Sequence, residues 1–260
     1  MKTVIIYEDK DMLVCGKPAG LAVQSGRLSE PDMVSELKNY LAKSGRPVVT
    51  ASGAAAGVRC GLPSEKKPVY LGVIHRLDQP VSGILVFAKN QRAAAKLSSQ
   101  ISDHRMEKTY RAIVMKQPDN GWPGTEENIK QPEEGSAKKA AGYSLCDFMV
   151  KETGGGARIA KSGEKDAKKA LLVYRCLDYR ENRALLEIDL KTGRHHQIRV
   201  QMAHAGMPLL GDSRYGTEES RRLSQQLGIR NIRLQAVKLC FYHPSTGKKV
   251  SYELDKKLEL

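Results

Sequence analysis

The run Gly83-Ile84-Leu85-Val86-Phe87-Ala88 limits the possible folds more than any other stretch of this chain. None of its six residues carries a polar side chain, so a strand formed here must bury both faces, and the protein must supply a packing layer on each side. The residues just before it are of the opposite kind. Pro80, Ser82 and Gly83 are turn formers, and ahead of them a lone carboxylate, Asp78, stands two residues from Arg76. Asp78 is therefore expected on a loop held by a rigid strand, the setting in which binding and catalytic groups concentrate. The alternative at this point is that Asp78 only caps the turn and pairs with Arg76.

The remainder reads as strands mixed with helices. Two short strands are expected over residues 3 to 15, around Glu8-Asp9-Lys10-Asp11. Met33, Val34, Leu37, Tyr40 and Leu41 recur at helical spacing between Asp32, a capping residue, and Gly45, a stop. Asn90 is placed to cap a second helix with Ala94, Leu97 and Ile101 inward, and Lys108 to Val114 reads as a strand carrying Tyr110. Arg183 to Leu190 alternates as a half-solvated antiparallel strand does, with Leu186, Ile188 and Leu190 on one face. His196 to Ala205 fits a short helix with Ile198, Met202 and Ala205 inward, and Leu234 to Tyr242 pairs with Val250 to Leu254 as a hairpin. Three segments poor in apolar residues, near 50–68, 117–142 and 152–168, are expected as flexible insertions within a single domain spanning 1–260.

Charge narrows the partners. The 260 residues carry 43 Lys and Arg against 29 Asp and Glu, a net charge of +14, which favours a polyanion. Nucleic acid comes first and an acidic membrane second. No apolar run approaches the roughly 18 to 20 residues that span a bilayer, and the N-terminus lacks the form of a signal peptide, so a cytoplasmic protein is expected. The five cysteines are scattered without a Cys-x-x-Cys pair, which argues for reduced thiols and against structural zinc. With 5% aromatic residues, broad base-stacking platforms are not expected.

Gly193-Arg194-His195-His196-Gln197-Ile198-Arg199 admits three readings. His195, His196 and His204 form an incomplete metal set, since no Asp or Cys completes them at a usual spacing. The cluster is otherwise a solvated basic face, or its two arginines are divided in role. In the third reading Arg194, with His195 and His196 at a helix N-terminus, faces a phosphate outside. Arg199, close to the apolar stripe, then needs a buried anionic partner such as Asp78.

These segments together resemble the RluA-type family of RNA pseudouridine synthases. His75-Arg76-Leu77-Asp78 followed by Ser82-Gly83 resembles the family's catalytic loop, and Lys108-Thr109-Tyr110-Arg111-Ala112 its second motif. The Gly193 to Arg199 segment resembles its third, continued by Gly206-Met207-Pro208 and by Gly211-Asp212-Ser213-Arg214-Tyr215-Gly216. Lys17-Pro18-Ala19-Gly20-Leu21, Leu234-Gln235-Ala236 and His243-Pro244 agree as well. Val81 departs from the family's usual Thr, and Gln201 from a frequent His. Only sixteen residues precede Lys17, which leaves no room for the S4-like RNA-binding domain that many relatives carry.

The resemblance implies an α+β pseudouridine-synthase fold, with a long mixed, mostly antiparallel sheet bent around a central catalytic cleft and flanked by helices and loops. It implies isomerisation of uridine in a ribosomal or transfer RNA stem-loop, by a monomer, without metal or organic cofactor. Asp78 is the implied nucleophile or base toward the ribose, Arg199 its opposed cation, and Tyr110 the ring against the uracil, with a share in removing the C5 proton. Arg76 fills the gap left by a flipped base, and His75, Arg194, His196 and Gln197 complete the implied substrate-binding set. Two rival functions remain: a catalytically silent RNA-binding module on the same fold, and a hydrolase pairing Asp78 with Asp212 as acid and base.

Overall fold

The structure, a computed structural model, describes residues 1–27, 30–44, 69–115 and 142–260. In chain order its elements are β1 (Val4–Glu8), β2 (Met12–Lys17), α1 (Met33–Ser44), β3 (Gly72–Val73), β4 (Ser82–Ala88), α2 (Gln91–Ser102), β5 (Glu107–Met115), β6 (Tyr143–Lys151), β7 (Ala157–Ile159), β8 (Lys168–Arg180), β9 (Arg183–Leu190), α3 (Gln197–His204), α4 (Glu218–Gln226), β10 (Leu234–Tyr242) and β11 (Lys249–Glu253). The strands form one 11-stranded sheet in the order β1-β2-β4-β10-β5-β9-β8-β6-β7, with β11 paired to β10 and β3 to β4. Every pairing is antiparallel except β4 with β10, so the sheet is mixed and mostly antiparallel, as expected.

The apolar run behaves as its composition requires. Leu85 and Phe87 of β4 enter one core cluster, whereas Ile84, Val86 and Ala88 enter a second on the opposite face. α1 supplies Met33 and Leu37 to the first cluster, and α2 supplies Ala93 and Leu97 to the second. The strand is thus sandwiched, and each fully buried large side chain in it contributes about 1.5–3 kcal/mol. Capping agrees with the sequence. Asp32 Oδ1 accepts from the Ser35 amide at 2.7 Å, and Asn90 Oδ1 from the Ala93 amide at 2.8 Å.

Several local expectations need correction. The buried face of α2 is Ala93, Leu97 and Gln100, with Ala94 and Ile101 only partly covered. Gln100 turns inward because its amide bonds the backbone of Tyr242 in both directions. Ala205 is exposed, since α3 stops at His204 and is buried on most sides over Gln197 to Met202. The segment 152–168 is not featureless: a Gly154-Gly155-Gly156 turn returns the chain as β7, which pairs with β6, and Arg158 forks onto Glu164 just beyond it. α4 has no counterpart in the sequence reading. Leu223 is its single apolar residue, too little to mark an apolar stripe, although Thr217 caps it through the Ser220 amide. The expected insertions near 50–68 and 117–142 lie outside the described residues, Gly142 excepted.

The loop bearing Asp78 is anchored at both ends. Val81 N donates to Asp78 O at 3.0 Å, closing a turn, and Gln79 O accepts from the Gly20 amide at 2.9 Å and from Lys17 Nζ at 2.8 Å. At the far end Gly83 has φ +135°, and a Cβ there would stand 2.4 Å from both N and O of Ala236. This glycine lets β4 and β10 approach in parallel register, Ser82 opposite Gln235 and Gly83 opposite Ala236. Gly83→Ala should therefore cost about 3 kcal/mol or more in urea unfolding. Gly20→Ala, at φ +85° but with nothing within 4 Å of the new methyl, should cost only about 1 kcal/mol. Equal losses would show that close approach is not what Gly83 provides.

Candidate active site

A cleft of about 1050 Å³ opens between the Asp78 loop, β5 and the start of α3, and all eight residues expected at the site line it. Asp78 is contributed by the anchored turn, Tyr110 by β5, and Arg199 by the first turn of α3. Arg199 Nη1 lies 3.2 Å from Asp78 Oδ2, so the pairing expected across 121 residues of sequence is present.

Arg199 has a stronger partner than Asp78. Its Nε donates to Asp212 Oδ2 and its Nη2 to Asp212 Oδ1, both at 2.8 Å, a two-pronged bond that fixes the plane of the guanidinium. The ring of Tyr215 lies under the same group, 5.0 Å from its central carbon. Asp212 is also gripped from its own loop, its Oδ1 accepting from the amides of Arg214 and Tyr215. With two nitrogens committed to Asp212, the third is left facing Asp78. Burial alone would raise the Asp212 carboxyl, but hydrogen bonds and charge from Arg199, with the two amides, hold it below its ordinary value. Burial would likewise lower Arg199, and Asp212 raises it instead. A carboxylate held ionised and 1% exposed is a poor proton donor, which removes the acid from the hydrolase reading.

Two histidines and the tyrosine of the cleft are kept neutral. His75 is pushed down to about 3, mainly by burial and further by the Lys108 ammonium, and its Nε2 accepts from the Val86 amide at 3.3 Å. His196 is lowered to about 4, with burial outweighing the opposing pull of Asp78. Burial first, and then the Asp78 charge, drive the Tyr110 phenol well above its usual range. Tyr110 thus presents a neutral ring at the cleft floor, which leaves it unsuited to act as a phenolate base. Lys17, almost wholly buried, donates to the carbonyls of Pro18, Leu21 and Gln79, and burial lowers it to about 8 against the pull of Asp78.

Other expected residues fall into distinct places. Arg76 is exposed at the cleft, next to Asp78. Arg194 lines the cleft while its Nε donates to Lys169 O at 2.8 Å. Gln197 is buried, its Oε1 accepting from Thr192 Oγ1 and the Arg194 amide and its Nε2 donating to Gln201 Oε1, so its amide shapes the loop and has little left for a substrate. His204 lies apart from the other two histidines and pairs with Asp147 at 3.3 Å, which breaks up the three-histidine metal set. Lys108, Lys151 and Arg214, not singled out from the sequence, add cations to the cleft lining, and Asp212 as the clamp on Arg199 was not foreseen. Lys108 was within reach of pattern reading, because it shares a strand face with Tyr110 two residues on.

The cleft thus brings together a carboxylate, an opposed arginine, a neutral tyrosine and a cationic lining. Comparison with known proteins identifies the family. Residues 11–204 match the family described as RNA pseudouridylate synthase. The chain is 30% identical over 253 residues to the ribosomal large subunit pseudouridine synthase D of Zymomonas mobilis, covering 96% of this chain and 68% of that one. It is 28% identical to the tRNA pseudouridine synthase C of Haemophilus ducreyi, covering 96% and 90%. The solved structure of human RNA pseudouridylate synthase domain containing 1 shares the fold, with a TM-score of 0.67 at 18% identity over 98% of this chain and 83% of that one. This chain belongs to the RNA pseudouridylate synthase family, and its motifs are of the RluA type.

Asp212→Asn should cost about 3–5 kcal/mol at pH 7, because it removes the charge that balances a buried guanidinium and puts an amide NH2, which cannot accept, in place of one of the two carboxylate oxygens that Arg199 bonds. The folded Asp212 carboxyl is depressed, so its contribution is present above the unfolded value of about 4 and is lost as pH falls below it. The stability gap between wild type and variant, measured by urea unfolding, should therefore narrow from pH 7 to pH 3. An undiminished gap would mean that Asp212 is not held as an ion.

Proposed function

We propose that this protein converts uridine to pseudouridine in a structured ribosomal or transfer RNA, with Asp78 as the reacting carboxylate. The observation that carries the reading is the convergence of Asp78, Arg199 and Tyr110 in one cleft, from three elements far apart in sequence. The reaction is a rearrangement. The bond from uracil N1 to ribose C1′ breaks, the base turns within the pocket, C5 bonds to C1′, and the C5 proton leaves while N1 gains one. Atoms and oxidation level are conserved, so the reading assigns neither a metal nor an organic cofactor.

Asp78, acting as nucleophile or as base toward the ribose, stands where Arg199 keeps its oxygen aimed into the cleft. Tyr110 supports the face of the detached base as it turns. A paired uridine reaches this pocket only if it is flipped out, and exposed Arg76 stands beside the carboxylate, where a guanidinium can occupy the vacated place in the stack. Lys108, Lys151, Lys191, Arg194 and Arg214 ring the cleft with positive charge suited to the flanking phosphates. A silent RNA-binding module needs that charge alone, and the clamped Arg199 beside Asp78 favours catalysis over it. We take the site of action to be the cytoplasm and the acting species a monomer of one catalytic domain.

Asp78→Asn should fold and bind RNA as wild type does, yet lose at least about 10³-fold in release of tritium from RNA labelled at uridine C5. Retention of a few per cent of turnover would remove Asp78 from the chemistry. Tritium release absent from the wild type, with RNA binding intact, would establish the silent module instead.

A further inference from the structure

Beside Asp78 the cleft holds two histidines to which the proposed rearrangement gives no step. His195 and His196 stack with ring centroids 3.8 Å apart and planes 23° apart, and both stand beside Asp78. One potential ligand atom from each of Asp78, His195 and His196 lies within 4.8 Å of the other two. Among these approaches, His196 Nε2 lies 3.5 Å from Asp78 Oδ2. That separation is long for a formed hydrogen bond. It is close to the spacing of two ligands on one tetrahedral ion, since metal bonds of about 2.0–2.2 Å to N and O place those atoms about 3.4 Å apart.

The surroundings favour the same use. His196 Nδ1 is bonded to the Tyr215 hydroxyl at 2.7 Å, which holds the ring by its far nitrogen and turns Nε2 toward Asp78. Metal-ligating histidines are oriented in this way by a partner on the second ring nitrogen. His196 is the N-cap of α3, its carbonyl accepting from the Val200 amide at 3.0 Å, yet at φ +53° its side chain makes no cap bond and the ring is free to face the cleft. His195 is exposed, and its Nε2 rests on Gly155 O at 3.1 Å, a contact that a surface imidazole can exchange for a metal by rotating.

We propose that Asp78, His195 and His196 form a site for a borderline-soft divalent cation, with zinc as the type case, and that its occupancy inhibits the enzyme. Two imidazoles and a carboxylate are a ligand set that zinc accepts with a fourth position left open. Arg199 and Arg214 oppose a dication here and limit its affinity. An ion on Asp78 Oδ2 displaces only the 3.2 Å contact from Arg199, however, leaving the two bonds from Arg199 to Asp212 in place. The bound ion then covers the carboxylate that the reaction needs and competes with the flipped nucleotide.

Inhibition rests on the proposed activity, whereas binding does not, and the test separates them. Zinc inhibition of tritium release is measured for wild type and His195→Ala, each relative to its own zinc-free rate. Cobalt(II) uptake is followed by visible absorption in RNA-free wild type, His195→Ala and Asp78→Asn under reducing conditions. Zinc should inhibit the wild type competitively with RNA and reversibly by chelator, and His195→Ala should need at least about tenfold more zinc. The tetrahedral cobalt band should be lost in both variants. Equal zinc sensitivity of wild type and His195→Ala, or equal cobalt bands in all three proteins, would overturn the site. A wild type that binds cobalt but releases no tritium would count against the enzymatic reading alone.

Discussion

The site depends on one guanidinium shared between two carboxylates. Arg199 is 8% exposed, and a charge so placed is tolerable only with its hydrogen bonds satisfied. Asp212 satisfies two of them, and Tyr215 fills the space beneath. Geometry then leaves the remaining nitrogen one direction, toward Asp78. The position of the reacting carboxylate is therefore set from two sides: by the backbone turn that Lys17 and Gly20 tie down, and by a cation whose own orientation is fixed 13 residues further along the chain. An arginine without the Asp212 fork could satisfy itself elsewhere, and Asp78 would lose a directed partner.

Around this Asp-Arg-Asp core two histidines and a tyrosine are electrically quiet. Burial keeps His75 and His196 unprotonated at neutral pH and Tyr110 protonated. Charge is thereby separated into a fixed Asp-Arg-Asp array at the floor and a set of lysines and arginines at the lining. This division suits a substrate whose backbone is anionic but whose reacting base is flat and neutral. The backbone can be held by exchangeable, salt-sensitive contacts while the base meets groups that do not change protonation near pH 7.

Much of this was legible because two sequence signals are direct consequences of packing. A continuous apolar run must be covered on both sides, and Leu85 and Phe87 do divide from Ile84 and Val86 between two cores. An arginine beside an apolar stripe must find a carboxylate, and Arg199 reaches Asp78. What stayed hidden depends on tertiary partners that a linear pattern does not reveal. Asp212 was visible as part of a motif, but its two-pronged bond to Arg199 exists only once the loop after α3 folds back. Gln197 entered the substrate-binding set through the motif resemblance, yet Thr192, Arg194 and Gln201 occupy its amide. α4 is a surface helix with Leu223 as its single apolar residue, so no apolar stripe announces it, and His204, at the end of α3, pairs with Asp147 rather than joining His195.

If Asp212 acts on the chemistry only through Arg199, the two residues form one functional unit. A double-mutant cycle on the single-turnover rate at saturating RNA, using Asp212→Asn, Arg199→Met and the double variant, measures this. A large loss is expected in each single variant and almost no further loss in the double, a coupling of the kind groups in one network show. Losses that add in the double variant, or an Asp212→Asn rate equal to wild type, would contradict it.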